Sequence, residues 1–327
     1  MGCSYLVTTR WPRVRAVAPA LAVSSSASRA GLAALAILAI LAIMTGACHH
    51  PAAPSSGNGG STGGGASSAA LVGAGDIAMC ESPGPELTAR LLDRLGGAVF
   101  TAGDNAYMSG TAAEFQRCYE PTWGRHKSRT RPIPGNHDYG SPGAAPYYAY
   151  FGDRAGVSGL GYYSYDAGPW LVVALNSEID ISAGSAQLQW LRSTLNANPR
   201  SCTLALVHRP LFTSGINGEN RDLRDAWRVL YEQGVDVVIS GHDHEYERFA
   251  PQDPDGRFDA IRGVRQFVSG TGGAALYPLQ APHANSEVLG SAFGVLSLTL
   301  TTAAYQWEFV PAEGYSFRDS GSAACHQ

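Results

Sequence analysis

The first 69 residues contain no aspartate or glutamate, although the chain of 327 residues has 27 acidic side chains. Four arginines precede a nearly continuous apolar run at residues 30–47, AGLAALAILAILAIMTGA. Its strongly apolar part is about fourteen residues long, shorter than the ~20 residues of a permanent membrane span. A positive leader, a short apolar core and small residues at its end indicate an export signal. We therefore expect residues 1–47 to be an export signal.

Cys48 follows the small residues Gly46 and Ala47. This arrangement resembles the lipobox of bacterial lipoproteins, in which the cysteine is acylated and becomes the new N-terminus. Thr45 departs from that pattern, because those signals usually carry leucine or another aliphatic residue there. Lipidation of Cys48 and ordinary cleavage are both compatible with the sequence. In either case we expect an envelope or extracellular protein that touches membrane only through its signal or a lipid anchor.

Residues 48–69 are rich in glycine, serine and proline, which is typical of a flexible tether. The remaining residues, 70–327, contain no second long apolar run and suffice for one sizeable core. Without the four leader arginines, 19 of the 23 basic residues remain against 27 acidic ones, a formal charge of −8. An acidic domain without a basic run argues against nucleic acid as the main partner.

No CxxC motif occurs among the six cysteines, so a cysteine-ligated metal is not expected. Outside the leader and position 48, the chain retains Cys80, Cys118, Cys202 and Cys325. An even number in an exported chain predicts disulfides, and three pairings are possible. We favour Cys80–Cys118, which lie close to the first two polar stretches described below, and Cys202–Cys325, which would attach the C-terminal tail.

Apolar runs that end in Gly, Asp, Ser, Asn or His recur and predict buried strands. They include Leu71–Gly75, Ala98–Gly103, Trp170–Asn176, Thr203–His208, Val235–Ser240 and Arg265–Gly270. Apolar spacing near 3.6 residues predicts helices at Pro85–Leu95, Ser185–Leu195 and Leu223–Tyr231. Alternating strands and helices indicate an α/β fold with largely parallel pairing. The period-2 segments Phe293–Leu300 and Tyr305–Val310 predict a C-terminal hairpin.

Polar stretches follow the predicted strands, where α/β folds bind ligands. In chain order they are GAGDIA (73–78), AGDNAY (102–107), PGNHDY (134–139), LVHRP (206–210) and GHDHEYER (241–248). Residues i and i+2 of an extended segment point the same way, so His242 and His244 can converge on one place. A single such stretch is usually structural, but five in one chain predict a shared metal site.

These stretches resemble the motif order of the calcineurin-like metallophosphoesterases, Asp…GD…GNH(D/E)…H…GHxH. The second stretch, GDNAY, is similar to the GDxxY of purple acid phosphatases, whose tyrosine joins the metal site. The broad family usually has Asp-x-His in its first motif, whereas this chain has Asp76-Ile77-Ala78; the missing histidine agrees with the presence of Tyr107. Ala78 also departs from the glycine usual in the tyrosine branch. The resemblance implies an α/β/β/α sandwich of two mixed sheets flanked by helices, with a C-terminal β-hairpin.

The resemblance also implies two metal ions bridged by Asp104. One would take Asp76, Asp104, Tyr107 and His244; the other would take Asp104, Asn136, His208 and His242. A carboxylate, a phenolate and an imidazole suit Fe³⁺ at the Tyr107 site, and the second set suits Zn²⁺, Mn²⁺ or Fe²⁺. Bridged cations lie ~3.5–4 Å apart, the spacing used for in-line displacement.

The mechanism implied for such a centre is attack of a metal-bound hydroxide on phosphorus. His137 lies beside Asn136 without being a ligand and would assist departure of the alcohol. Asp138 would orient the other ring nitrogen of His137. The candidate substrate contacts are Asn136, His137 and Arg209, although Arg209 is equally suited to a salt bridge.

The sequence therefore favours an exported, acid phosphatase-like hydrolase of small phosphate monoesters. A phosphodiesterase for cyclic nucleotides, nucleotides or lipid head groups would use the same motifs and stays open. A binding protein on an inactivated scaffold is disfavoured, because no ligand motif is broken.

Three weaker expectations concern other parts of the chain. We expect Tyr147, Tyr148, Tyr150 and Phe151 to form a packed loop rather than a substrate rim. The stretch GTGGAAL (270–276) lacks the lysine of a phosphate-binding loop and predicts a turn of close backbone approach. His126 has no sequence feature that places it in the site.

Overall fold

The computed structural model of this chain describes residues 67–326. The predicted export signal, Cys48 and all but the last three residues of the predicted linker lie outside the described residues. Within residues 67–326, no helix has both the length and the apolar character needed to cross a bilayer.

The described part of the chain contains five α-helices and thirteen strands. The helices are α1 Gly84–Arg94, α2 Ala112–Glu114, α3 Ala145–Phe151, α4 Ala186–Ala197 and α5 Arg224–Glu232. The strands are β1 Ser68–Ala74, β2 Ala98–Ala102, β3 Thr130–Ile133, β4 Tyr163–Ala167, β5 Trp170–Ala174, β6 Thr203–Leu206, β7 Val237–Ser240, β8 Tyr246–Phe249, β9 Arg265–Ser269, β10 Ser286–Gly290, β11 Gly294–Thr301, β12 Ala304–Pro311 and β13 Asp319–Ala324.

The strands form two mixed sheets. The first has the order β13-β12-β11-β1-β2-β3 and the second the order β10-β8-β9-β7-β6-β5-β4. Strands β1, β2 and β3 are parallel, as are β5, β6, β7 and β9, and the remaining pairs are antiparallel. The predicted pair of mixed sheets is therefore confirmed.

The alternation of side chains along each strand creates three hydrophobic layers. On β1, Leu71 packs between the sheets and Val72 packs on the outer side against α1. On β5, Val172 faces the same inter-sheet core, whereas Val173 packs towards α4 and α5. Helices thus cover the outer face of each sheet, which confirms the α/β/β/α arrangement.

The C-terminal hairpin is present as β11 and β12, and β13 extends it by one strand that the sequence did not predict. The segment DSGSAA has no apolar alternation; backbone pairing with β12 and the buried carboxylate of Asp319 hold it in place. Asp319 accepts hydrogen bonds from Tyr246 Oη at 2.7 Å, Trp307 Nε1 at 3.0 Å and Arg248 Nε at 2.8 Å.

The tyrosine cluster after the third polar stretch lies in helix α3, so the prediction of a loop there is wrong. The expectation of packing is correct: Tyr147, Tyr148 and Phe151 are buried, and Phe151 packs edge-on against Phe115 and Tyr119. Pro146 in the first turn and Gly152 after the last residue account for the helix ends.

Both favoured disulfides are present. Cys80 and Cys118 have Cα atoms 5.1 Å apart, and those of Cys202 and Cys325 are 5.5 Å apart. The second bond joins the amino end of β6 in one sheet to the end of β13 in the other.

Loss of the second disulfide should be the more damaging. Its partners are 123 residues apart, so Cys202→Ser with Cys325→Ser should lower the free energy of unfolding by about 5 kcal/mol. The Cys80–Cys118 bond encloses 38 residues, and its removal should cost about 4 kcal/mol. Urea unfolding of the two double variants checks both the sizes and the order; the reverse order would contradict the loop-length argument.

Candidate metal centre

The strand-end residues of both sheets meet at one edge of the molecule. Asp76 follows β1, and Asp104 with Tyr107 follows β2; Asn136 and His137 follow β3. From the second sheet, His208 follows β6, and His242 and His244 follow β7. Parallel strands present their carboxyl ends at a common edge, which is why residues far apart in sequence become neighbours here.

Tyr107 is the centre of the first group of contacts. Its Oη lies 2.8 Å from Asp76 Oδ1, 3.0 Å from Asp104 Oδ2 and 3.1 Å from His244 Nε2. All four side chains are buried. The structure therefore brings together the four residues predicted for the first metal.

Asp104 and His208 organise the second group. His208 Nε2 lies 3.3 Å from Asp104 Oδ2 and 3.1 Å from Asn136 Oδ1, and its Nδ1 lies 2.8 Å from the carbonyl of Ala102. His242 faces His208 with ring centroids 5.1 Å apart. Ligand atoms of Asp104, His208 and His242 lie within 4.8 Å of one another, close enough to share one ion.

Glycines permit this close approach of the strand ends. A Cβ on Gly135 would lie 2.2 Å from Asp104 Oδ1, and one on Gly241 would lie 2.5 Å from Asp76 Oδ2. Three predicted ligands also have left-handed backbone conformations, with φ of 59° at Asp76, 52° at Asp104 and 72° at His242. Such conformations are uncommon outside glycine and concentrate at functional sites.

The buried charges strongly influence one another. Burial opposes ionisation of Asp104, but the charge of His208 and its hydrogen bond hold the pKa of Asp104 well below its usual range. Burial also opposes charging of His208, yet Asp104 raises the pKa of His208 to about 10. Burial, with the charges of His208 and Arg209, lowers the pKa of His242 to about 3, so its ring is neutral and able to ligate.

The structure corrects the role predicted for Asp138. His137 Nδ1 lies 2.6 Å from the carbonyl of Met108, so a backbone carbonyl orients the ring. Asp138 is buried and instead accepts from the backbone amides of Asn105 and Gly135 and from Asn105 Nδ2 at 2.9 Å. These hydrogen bonds hold the loops after β2 and β3 together.

Arg209 is engaged in an ion pair, one of its two expected roles. Its Nε and Nη2 donate to Glu178 at 2.9 and 3.1 Å, and its Nη1 lies 3.2 Å from His242 Nε2.

His126 lies outside the centre, 3.0 Å from Asp93. The glycine-rich turn after β9 does approach other backbone closely, since a Cβ on Gly272 would lie 2.5 Å from the carbonyl of Gly75.

Two neighbours of the centre were not found from the sequence. Tyr277 stacks on the His244 ring, with centroids 4.0 Å apart and planes at 9°, and the carbonyl of Ala275 lies 2.7 Å from His244 Nδ1. Asn105 donates to Asp138 and to the carbonyl of Ile133 at 2.9 Å. Asn105 lies inside the GDNAY stretch, so the sequence did offer a signal for it. No local pattern links Tyr277 to His244.

The fold and the clustered strand ends define a phosphoesterase of the calcineurin type. The model of the calcineurin-like phosphoesterase family matches residues 74–246, slightly more than half of the chain, and the chain belongs to this family. The family comprises metal-dependent hydrolases of phosphoric esters.

Comparisons with individual proteins support placement in the purple acid phosphatase-like branch. The chain is 30% identical to the probable purple acid phosphatase 20 of Arabidopsis thaliana over 146 residues, 41% of this chain and 33% of that protein. It is 38% identical to purple acid phosphatase 22 of the same plant over 94 residues, 27% of this chain and 22% of that protein. The alignments therefore span a third or less of these relatives.

A solved structure supports the fold. That of the purple acid phosphatase PPD1 from yellow lupin (Lupinus luteus) seeds superposes with a TM-score of 0.67 at 21% identity, covering 80% of this chain and 54% of that one.

Proposed function

We propose that this protein is an exported, binuclear metal-dependent phosphatase that hydrolyses small phosphate monoesters. The observation that carries the proposal is the convergence of Tyr107 and Asp104 with ligands from both sheets in one buried cluster. Two buried carboxylates that share one phenol group are costly unless a cation lies among them. The family relationship supports the same chemistry.

The residues present fit two metal ions. Asp76, Asp104, Tyr107 and His244 form a hard, anionic set that suits Fe³⁺, and Asp104, Asn136, His208 and His242 suit Zn²⁺, Mn²⁺ or Fe²⁺. The backbone carbonyls of Ala102 and Ala275 lie within hydrogen-bonding distance of the Nδ1 atoms of His208 and His244. Such contacts fix the ring tautomer that leaves Nε2 available as a ligand atom. When bound, the ions would neutralise phosphate charge and lower the pKa of a reacting water.

The chain's own residues would position and protonate the substrate. His137 is about a quarter exposed, and its Nε2 lies 3.9 Å from Asp104 Oδ2, so it borders the cluster from the solvent side. It would donate a proton to the departing alcohol, and the carbonyl of Met108 would keep Nε2 directed towards it. Asn136 would contact the phosphate from the same loop. Arg209 is less suited to bind phosphate, because Glu178 already occupies its guanidinium.

The Asp104→Ala variant should lose metal from both positions and fall to background activity, because the carboxylate lies in both groups of contacts. Metal analysis and paired assays with p-nitrophenyl phosphate and its bis-ester check this. Asp166→Ala is a matched control, since Asp166 lies on β4 and pairs with exposed Arg200. Near-normal metal content in Asp104→Ala would contradict the assignment, and preference of the wild type for the bis-ester would establish a diesterase.

The His137→Ala variant should retain both metals and lose turnover by roughly 10²–10⁴-fold, as expected for a missing general acid. His126→Ala, which removes an imidazole paired with Asp93 away from the centre, should be unaffected. Metal content and kcat are measured on both. Loss of a metal ion from His137→Ala would show that the side chain is a ligand.

The Tyr107→Phe variant should lose a visible absorption band. A tyrosinate bound to Fe³⁺ absorbs in the visible, so the iron-loaded wild type should be pink to purple and the variant colourless. Tyr231→Phe removes a phenol that bonds to Asp259 elsewhere and should keep the colour. An iron-loaded wild type without the band would count against the assignment.

Export predicts a defined mature protein. Mass spectrometry of the natural product should find no residues before Cys48 and no free thiol in the rest of the chain, with an added lipid mass if Cys48 is acylated. Retention of residues 30–47 would indicate an uncleaved anchor instead.

A further inference from the structure

The segment 275–277 holds His244 from outside the ligand cluster. The backbone amide of Tyr277 donates to the His244 carbonyl at 3.1 Å, and the carbonyl of Ala275 lies 2.7 Å from His244 Nδ1. The Tyr277 ring lies flat on the imidazole, with centroids 4.0 Å apart and planes at 9°. The backbone contacts fix the position of the histidine and leave Nε2 for the centre, where it lies 3.1 Å from Tyr107 Oη. The phenol ring of Tyr277 covers one face of the imidazole.

This stack distinguishes the Tyr107 position from the second metal position. His208 and His242, which are predicted to bind the second ion, meet edge-on with ring planes at 75°. In the described part of the chain, neither of these two histidines has an aromatic ring stacked in parallel on it. Any contribution of stacking to metal binding should therefore fall on the ion that His244 holds.

The stack should be stronger when an ion is bound. A cation on Nε2 withdraws electron density from the imidazole, so the ring becomes more positive, and the face of a phenol ring is negative. A contact that is stronger in the bound state than in the free state raises the affinity for the ion.

Tyr277 can be replaced without opening the core. It is half-buried, and residues 278–282 after it are exposed, whereas His244 is 3% exposed. A leucine at position 277 would keep both backbone contacts and remove the aromatic face. A phenylalanine would keep that face and remove the hydroxyl group, so the two substitutions separate stacking from the other roles of the side chain.

We propose, building on the proposed function, that Tyr277 is a positioning residue for His244 and that its ring selectively strengthens binding of the ion at the Tyr107 position. The backbone of residues 275–277 places the imidazole, and the phenol face stabilises the imidazole in its metal-bound form. Loss of an outer partner of a ligand histidine typically costs roughly 10–100-fold in metal affinity. Because the backbone contacts remain, loss of the stack alone should cost about ten-fold, the lower end of that range.

Chelator competition measures the affinity for each ion in the wild type, Tyr277→Leu and Tyr277→Phe, each loaded with Fe³⁺ and Zn²⁺. Tyr277→Leu should bind iron roughly ten-fold more weakly and hold zinc as the wild type does. Its visible band should disappear at a correspondingly lower concentration of chelator. Tyr277→Phe should hold both ions with the affinity of the wild type. Tyr162→Leu is the matched control, because that half-buried ring packs on Trp190, with centroids 4.9 Å apart, instead of on a ligand.

Equal iron affinity in the wild type and Tyr277→Leu would overturn the inference, as would an equal loss of affinity for both ions. A loss of the same size in Tyr277→Phe would assign the effect to the hydroxyl group and overturn the stacking role. The proposed phosphatase fails separately, if the metal-loaded wild type hydrolyses neither p-nitrophenyl phosphate nor its bis-ester; the iron affinities would still decide the role of Tyr277. A wild type that binds no metal would overturn both.

Discussion

The contact between Asp104 and His208 joins the two sheets at the edge where the ligands gather. Asp104 belongs to the sheet built around β1 and β2, and His208 follows β6 of the other sheet, yet their side chains approach to 3.3 Å with almost no exposure. Without a cation, the buried carboxylate and imidazole stabilise each other's charged forms, and an ion bound by His208 Nε2 would take the place of the proton there. Tyr107 contacts Asp104, and Asn136 and His242 contact His208.

Glycines allow the strand ends of the two sheets to approach this closely. Gly135 and Gly241 sit directly before ligands, where any side chain would collide with Asp104 or Asp76. The glycine of each GD, GN and GH pair is therefore a spatial requirement of the site as well as a turn former. Tyr277 and Asn105 complete the surroundings by limiting the freedom of the His244 ring and of the loop that carries His137.

Much of this arrangement follows from the sequence. Apolar runs followed by polar residues identified strands and their ligand-bearing ends, and the order of the polar stretches identified the family. Asp138 shows the limit, since its nearness to His137 in sequence suggested a contact that the turn of the chain prevents. Tyr277 and β13 show a second limit of sequence analysis. Tyr277 stacks on a histidine 33 residues away, and DSGSAA is held by backbone pairing, so neither leaves a periodic pattern in the sequence. The predicted strand Val235–Ser240 begins two residues too early, because β7 starts at Val237. The buried Asp236 before it accepts a hydrogen bond from the backbone amide of Thr203.

The Cys202–Cys325 bond lies at the amino end of β6, about 20 Å along the strand from His208. It joins the two sheets covalently at the edge remote from the ligands. The two sheets are therefore linked beyond both ends of β6, covalently by Cys202–Cys325 and through side chains by Asp104 and His208. Reduction of the disulfide would remove the first of these two links and leave the second.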